Sequence, residues 1–156
     1  MGDVISMRRE SDFKLLLAQE RSAAGISACL ICQTCTICCP VSKVNESFNP
    51  LRIIRMILLG LEEQVLTNAF IWLCSSCVSC QEICPQGVKI SDFMTFLKNL
   101  AAKEGYLPVG VRAQLKTIKE YARIYPIDEF DNKKRRKLNL PPLPTSCEVV
   151  KELLSD

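Results

Sequence analysis

The sequence predicts an all-α fold, a small helical bundle followed by an extended C-terminal tail, and three features predict it. Apolar residues recur at three- and four-residue spacing on either side of a cysteine-rich segment. Residues that start and stop helices stand at the ends of those apolar stretches. A cysteine pattern occurs twice, beginning at Cys29 and again 45 residues later at Cys74, and the gap holds two helices where a compact βαβ-type arrangement would hold strand and turn.

Taken along the chain, Ser11 is placed to cap a first helix with Phe13, Leu16 and Leu17 on one face. Gly25 then releases the chain into the first cysteine segment. At Asn49-Pro50 an asparagine cap precedes a proline where no amide hydrogen is needed, and Leu51, Ile54 and Leu58 follow in register. Gly60 ends that helix with a left-handed turn. Glu62 and Glu63 suit the positive end of the next, whose Val65, Leu66, Ala69, Phe70 and Leu73 run straight into Cys74. Ser91 or Asp92 caps a further helix with Phe93, Phe96, Leu97, Leu100 and Ala101 on one side, closed by Gly105. Pro108 opens another, with Val111, Leu115, Ile118 and Ala122 aligned. Past Tyr125-Pro126 the chain turns to charge and then to Pro141-Pro142-Leu143-Pro144, with a short helix expected over Ser146–Leu154. The expected division is a helical domain over 1–125, its core at 25–108, and a charged, proline-containing tail over 126–156.

The repeated pattern carries the chemistry. Cys29, Cys32, Cys35, Cys39-Pro40 and Cys74, Cys77, Cys80, Cys84-Pro85 both read C-x2-C-x2-C-x3-C-P, the run that holds cubane iron–sulfur clusters. Three thiolates at this spacing wrap one cluster from a tight backbone turn; the fourth lies too far along and, in two-cluster proteins, ligates the other. The expected sets for two 4Fe–4S clusters are therefore Cys29, Cys32, Cys35 and Cys84, and Cys74, Cys77, Cys80 and Cys39. Structural zinc is the competing use of these thiols, but zinc prefers isolated four-ligand knuckles and has no need of a distant Cys-Pro.

Composition narrows the class. The chain has 156 residues and a net charge of only +3, which gives no strong case for nucleic acid or a membrane surface. Ten cysteines in a secreted protein would mean disulfides, yet Met1–Glu20 is too charged for an export signal, and no apolar stretch reaches the roughly 20 residues that span a bilayer. A cytoplasmic location with reduced thiols is expected. No histidine is present, which removes the commonest general acid/base and Rieske-type ligation, and favours an electron carrier over a catalyst.

The two ladders, the helical insert, and the phrases Asn49-Pro50-Leu51-Arg52 and Trp72-Leu73-Cys74-Ser75-Ser76-Cys77 resemble the C-type subunit of heterodisulfide reductase and its homologues, over roughly Gly25 to Pro108. The same helical ferredoxin unit occurs in iron–sulfur subunits of fumarate reductase, succinate dehydrogenase and glycolate oxidase. The first two carry an N-terminal plant-type domain, whereas only 28 residues precede Cys29 here; the third carries Cys-Cys-Gly motifs, whereas Cys38-Cys39 is followed by Pro40. The resemblance implies an electron-transfer subunit between two partners: an A-type subunit bearing flavin and clusters, and a B-type catalytic subunit whose Cys-Cys-Gly domains work on a disulfide. An iron–sulfur subunit of another flavin-linked oxidoreductase and a cluster-based sensor that binds nucleic acid are the alternatives. One departure is Gln33, which stands where the family often has glycine.

Other residues invite plainer readings. Cys38 and Cys147 lie outside the ladders, and spare cysteines mostly pack as small apolar groups. Phe70 and Trp72 are expected to shield the second ladder. Arg52, Arg55 and Lys89 are near the ladders in sequence and available to balance cluster charge, although solvated helix faces account for at least two of them. Lys133-Lys134-Arg135-Arg136-Lys137 lacks the interleaved aromatics of a nucleic-acid platform, so a docking arm for an acidic partner subunit is favoured over a solvated tail.

Overall fold

The structure is a computed structural model that describes residue 19 and residues 25–145 and 148–153, with only the backbone of Lys151. The helix expected at Ser11–Leu17 and the positions of Ser146, Cys147 and Leu154 lie outside the described residues. Within them there are helices and turns and no strand. A 3-10 turn at Ile26–Ala28 leads to α1 (Thr34–Ile37), α2 (Pro50–Leu58), α3 (Glu62–Leu66), a 3-10 helix at Ala69–Leu73, α4 (Ser79–Glu82) and α5 (Ile90–Lys103). Then come α6 (Val109–Tyr121), α7 (Glu129–Lys137) and α8 (Glu148–Leu153). The chain forms two compact units, Met1–Tyr106 and Leu107–Asp156.

In the first unit, α2 begins as its sequence dictates. The Asn49 side-chain oxygen accepts the Arg52 amide at 2.9 Å and also the Thr36 hydroxyl at 2.9 Å, so the cap of α2 is tied to α1. Its C-terminus closes in a Schellman turn: the amide of Gly60 bonds the Ile57 carbonyl and that of Leu61 the Met56 carbonyl, both at 2.9 Å. Gly60 takes φ 76° to make this turn, and Gly105, at φ 85°, makes the same one after α5. Between these ends α2 buries Leu51, Ile53, Ile54 and Ile57, while α5 buries Ile90, Phe93, Met94, Leu97 and Ala101. Phe48, Val65, Leu66, Phe70 and Ile71 complete one core. Each large apolar side chain among them contributes about 1.5–3 kcal/mol by leaving water.

The contacts show what this core positions. Helix α5 packs on α3, on the 3-10 helix at Ala69–Leu73 and on α4; α2 packs on α1 and α3; and α1 packs directly on α4. The last contact joins the short helices of the two cysteine segments.

Two local expectations are corrected. The helix running from Glu62 into Cys74 is broken: α3 stops at Leu66, Thr67 turns its hydroxyl onto the Glu63 carbonyl at 2.7 Å, and Asn68 starts a 3-10 helix by accepting the Phe70 amide at 3.1 Å. Asn68 competes with helix continuation because its short side chain caps a new start. Neither Ser91 nor Asp92 is the cap of α5. The helix starts at Ile90 after Lys89, Ser91 is buried, and the Asp92 amide is met at 3.3 Å by the Gln81 side chain from α4.

In the second unit, no residue of α6 is buried, and α6 packs against α8. The charged stretch expected as tail is a helix. A capping box starts α7, with the Asp131 amide on Asp128 Oδ1 at 2.8 Å and the Asp128 amide on Asp131 Oδ2 at 3.3 Å. Its buried Asn132 holds the proline-rich segment by two bonds, accepting the Leu143 amide at 2.8 Å and donating to the Leu143 carbonyl at 3.0 Å. Arg135 Nε donates to the Pro141 carbonyl at 2.9 Å. Part of the basic run thus serves the fold of its own unit.

Candidate functional site

The two cysteine segments take the same backbone path. Ile31 and Gln33 lie at φ 57° and 65°, and their repeat partners Ser76 and Val78 at φ 53° and 64°. Left-handed residues alternating with ordinary ones curl the chain so that successive amide hydrogens face one side, the arrangement that receives anionic groups, iron–sulfur clusters among them. Each such position costs about 1–3 kcal/mol for a residue with a Cβ. Gln33 is therefore explained: glycine would take its conformation without strain, and the chain tolerates glutamine there as it tolerates valine at 78.

Two hollows open against these turns. One is lined by Cys29, Cys32, Cys35 and Cys84, with Leu30, Leu51, Val88 and Ile90 among its walls. The other is lined by Cys74, Cys77, Cys80 and Cys39, with Phe48, Val78, Ile90 and Met94. In each, three thiols come from one ladder and the fourth from the other. Ile90, 2% exposed, walls both. Among the described residues no three Cys, His, Asp or Glu groups are gathered tightly enough to hold a single metal ion. The thiols instead stand around a space, and an all-sulfur donor set in a mostly apolar lining, with Gln33, Thr34 and Gln86 in the first hollow and Ser75 and Ser91 in the second, fits a 4Fe–4S cubane in each.

Electrostatics differ along each ladder. The middle cysteines, Cys32 and Cys77, are exposed. The Thr34 hydroxyl lies 3.2 Å from Cys32 Sγ, and this hydroxyl with the Thr34 amide holds the thiol below its ordinary range. At Cys77 the Ser79 hydroxyl and amide do the same, joined by the Ser75 hydroxyl. The third cysteines go the other way: burial raises Cys35, and burial reinforced by the neighbouring thiols of Cys74, Cys38, Cys35 and Cys39 pushes Cys80 up to about 12. Hydrogen bonds to the sulfurs continue at Cys39, whose Sγ accepts the Ser42 amide at 3.5 Å.

Residues that the sequence singles out separate clearly. Cys38 is half-buried and donates to the Cys35 carbonyl at 3.4 Å; it lines neither hollow. Phe70 is buried and Trp72 half-buried against the core. Arg52, Arg55 and Lys89 are exposed. Among the described residues the cation that does reach a ladder is Lys98, whose Nζ donates to the Cys74 carbonyl at 2.8 Å. Sequence distance hides it, since it lies 24 residues beyond Cys74; only the position of Lys98 on the half-buried edge of α5 points to it.

These features define the class: an all-helical protein with two 4Fe–4S clusters, and a model of the 4Fe–4S dicluster domain family matches residues 25–88. The chain is 32% identical over 92% of its length to the C-type component of a ferredoxin:CoB-CoM heterodisulfide reductase from Methanosarcina mazei, covering 88% of that protein. It is 34% identical to the corresponding component of a ferredoxin/F(420)H(2)-dependent CoB-CoM heterodisulfide reductase from Methanosarcina acetivorans, over 93% of this chain and 87% of the relative. The C-type iron-sulfur component of CoB-CoM heterodisulfide reductase from Methanopyrus kandleri is 31% identical over 88% and 71% of the two chains. The chain belongs to the family of C-type heterodisulfide reductase subunits, and it is an iron–sulfur, electron-transfer member of a complex. Among the described residues no helix is long and apolar enough to cross a membrane.

Proposed function

We propose that this chain is the wire of a heterodisulfide reductase-like complex in the cytoplasm. It takes one electron at a time from an A-type subunit bearing flavin and clusters and passes it to a B-type catalytic subunit. Cys29, Cys32, Cys35 and Cys84 hold one 4Fe–4S cluster, and Cys74, Cys77, Cys80 and Cys39 hold the other. The carrying observation is the lining of the two hollows, each by three thiols of one ladder and the last of its repeat. Cross-ligation makes both ladders necessary to both clusters and keeps the clusters at a fixed separation. The clusters supply the redox chemistry when bound. The protein's part is to exclude water with Ile90, Leu51 and Met94, to place hydroxyls and amides on the sulfurs, and to leave the Cys32 and Cys77 edges open to partners.

The basic face of α7 is a docking arm for an acidic surface on one of these subunits. Arg136 pairs with Glu129 and Arg135 with the Pro141 carbonyl, which leaves Lys133, Lys134 and Lys137 exposed, Lys134 over the Phe130 ring at 4.4 Å. Anaerobically purified protein should contain about eight iron and eight acid-labile sulfide per chain. It should also show two interacting spin systems on reduction. Zinc without sulfide would contradict the wire.

A further inference from the structure

The two hollows are related by the internal repeat, but their surroundings are not equal. Counted from their first residues, α2 and α5 show the same alternation of buried and exposed positions over their first turns, and Leu58 of α2 is the counterpart of Lys98 of α5. Both are half-buried. At this one position the first copy offers a methyl-tipped side chain, and the second a cation bonded to the Cys74 carbonyl at 2.8 Å. Among the described residues no cation bonds to any atom of Cys29, Cys32, Cys35 or Cys84.

The neutral donors lean the same way. The second set receives the Ser79 hydroxyl and amide and the Ser75 hydroxyl at Cys77, and the Ser42 amide at Cys39. The first set receives the Thr34 hydroxyl and amide at Cys32 and the Thr36 hydroxyl at Cys35, the last shared with the Asn49 side-chain oxygen at 2.9 Å, so the second set leads by one donor. Reduction adds one negative charge to a cluster. A fixed cation and an extra donor stabilise that charge, whereas an apolar side chain such as Leu58 at the same position does not.

Building on the wire reading above, we infer that Lys98 makes the cluster at Cys74, Cys77, Cys80 and Cys39 the higher-potential one, so that an electron entering the chain comes to rest there. One electron leaves the donor subunit, crosses the seam where α1 packs on α4, and waits at the second ladder for the acceptor subunit; no proton or bond changes hands in the chain. Lys98 is a positioning residue in this scheme, acting through the Cys74 carbonyl.

The test is an anaerobic redox titration of the cluster-loaded protein, followed by electron paramagnetic resonance. Lys98→Met should lower the higher of two midpoints by at least tenfold in the reduction equilibrium, about 59 mV for a one-electron couple. Lys98→Arg should restore it. Ser79→Ala should lower that same midpoint and Thr34→Val the other one, which labels the two clusters independently of Lys98. If Lys98→Met moves neither midpoint, or moves the one that Thr34→Val moves, the inference is wrong while the wire stands. If Ser79→Ala lowers the lower midpoint, the polarity is reversed and the inference also fails. A chain holding no sulfide-bound iron overturns the wire reading and this inference together.

Discussion

Among the described residues Ile90 is the one side chain that walls both hollows, so replacing it by alanine should harm both clusters at once. The residue is 2% exposed at the first position of α5, and an isoleucine truncated at a buried site costs about 2–5 kcal/mol. The neighbouring hollows limit how far the site can collapse, so about 3 kcal/mol is expected. If oxygen reaches the clusters through a locally opened state, that loss raises the open population about 100-fold. The assay is the decay in air of the two spin signals of reduced samples, each followed separately. Leu51→Ala and Met94→Ala are the controls, because Leu51 lines only the first hollow and Met94 only the second. Both signals should decay together in Ile90→Ala and one each in the controls. An Ile90→Ala protein that loses one signal at the native rate would refute the shared wall.

Three further outcomes follow from the same geometry. Asn49→Ala removes the cap of α2 and its bond to Thr36, and should cost about 1–2 kcal/mol, read as a lower denaturation midpoint; Asn49→Asp, which keeps the accepting oxygen, should recover most of it. In Asn132→Ala the amide and carbonyl of half-buried Leu143 lose their partners, at about 0.5–1.5 kcal/mol each, and trypsin should cut after Lys133–Lys137 at lower dose; an unchanged digestion pattern would mean the strap is not held there. With the clusters stripped, Cys32 and Cys77 should alkylate first near neutral pH, because their lowered pKa values enrich the thiolate. Cys80, pushed up to about 12, should be last. For Cys80 the sign is that of a raised acid: its contribution to the stability of the stripped chain is complete below the ordinary thiol value of 9.0 and is lost as pH rises from there toward 12. Uniform alkylation would show that the stripped chain does not keep this fold.

How much of this is legible in the residues can be judged element by element. Asn49-Pro50 and Gly60 announce α2 correctly because capping and left-handed turns are local chemistry, decided within a few residues. Thr67-Asn68 misleads since the apolar spacing on either side continues through it, and only the competing side-chain bonds show the break. The start of α5 is misplaced from sequence because Gln81, a residue of another helix, satisfies the Asp92 amide. The ladders themselves are readable, as the C-x2-C-x2-C-x3-C-P spacing encodes a turn; that Ile31, Gln33, Ser76 and Val78 adopt left-handed backbone is not, for none is glycine. Lys98 escapes notice for the reason that most tertiary electrostatics do: its partner is brought to it by the packing of α5 against the 3-10 helix before Cys74, and no spacing rule records that.

The exchange of the last cysteine between ladders is tested directly by paired spectra. Spin signals of reduced Cys84→Ser and Cys39→Ser should be set beside those of Cys32→Ser and Cys77→Ser, single replacements at the exposed middle positions. With crossed ligation Cys84→Ser alters the same signal as Cys32→Ser, and Cys39→Ser the same signal as Cys77→Ser. If Cys84→Ser instead follows Cys77→Ser and Cys39→Ser follows Cys32→Ser, each ladder holds its own cluster and the crossed assignment is wrong.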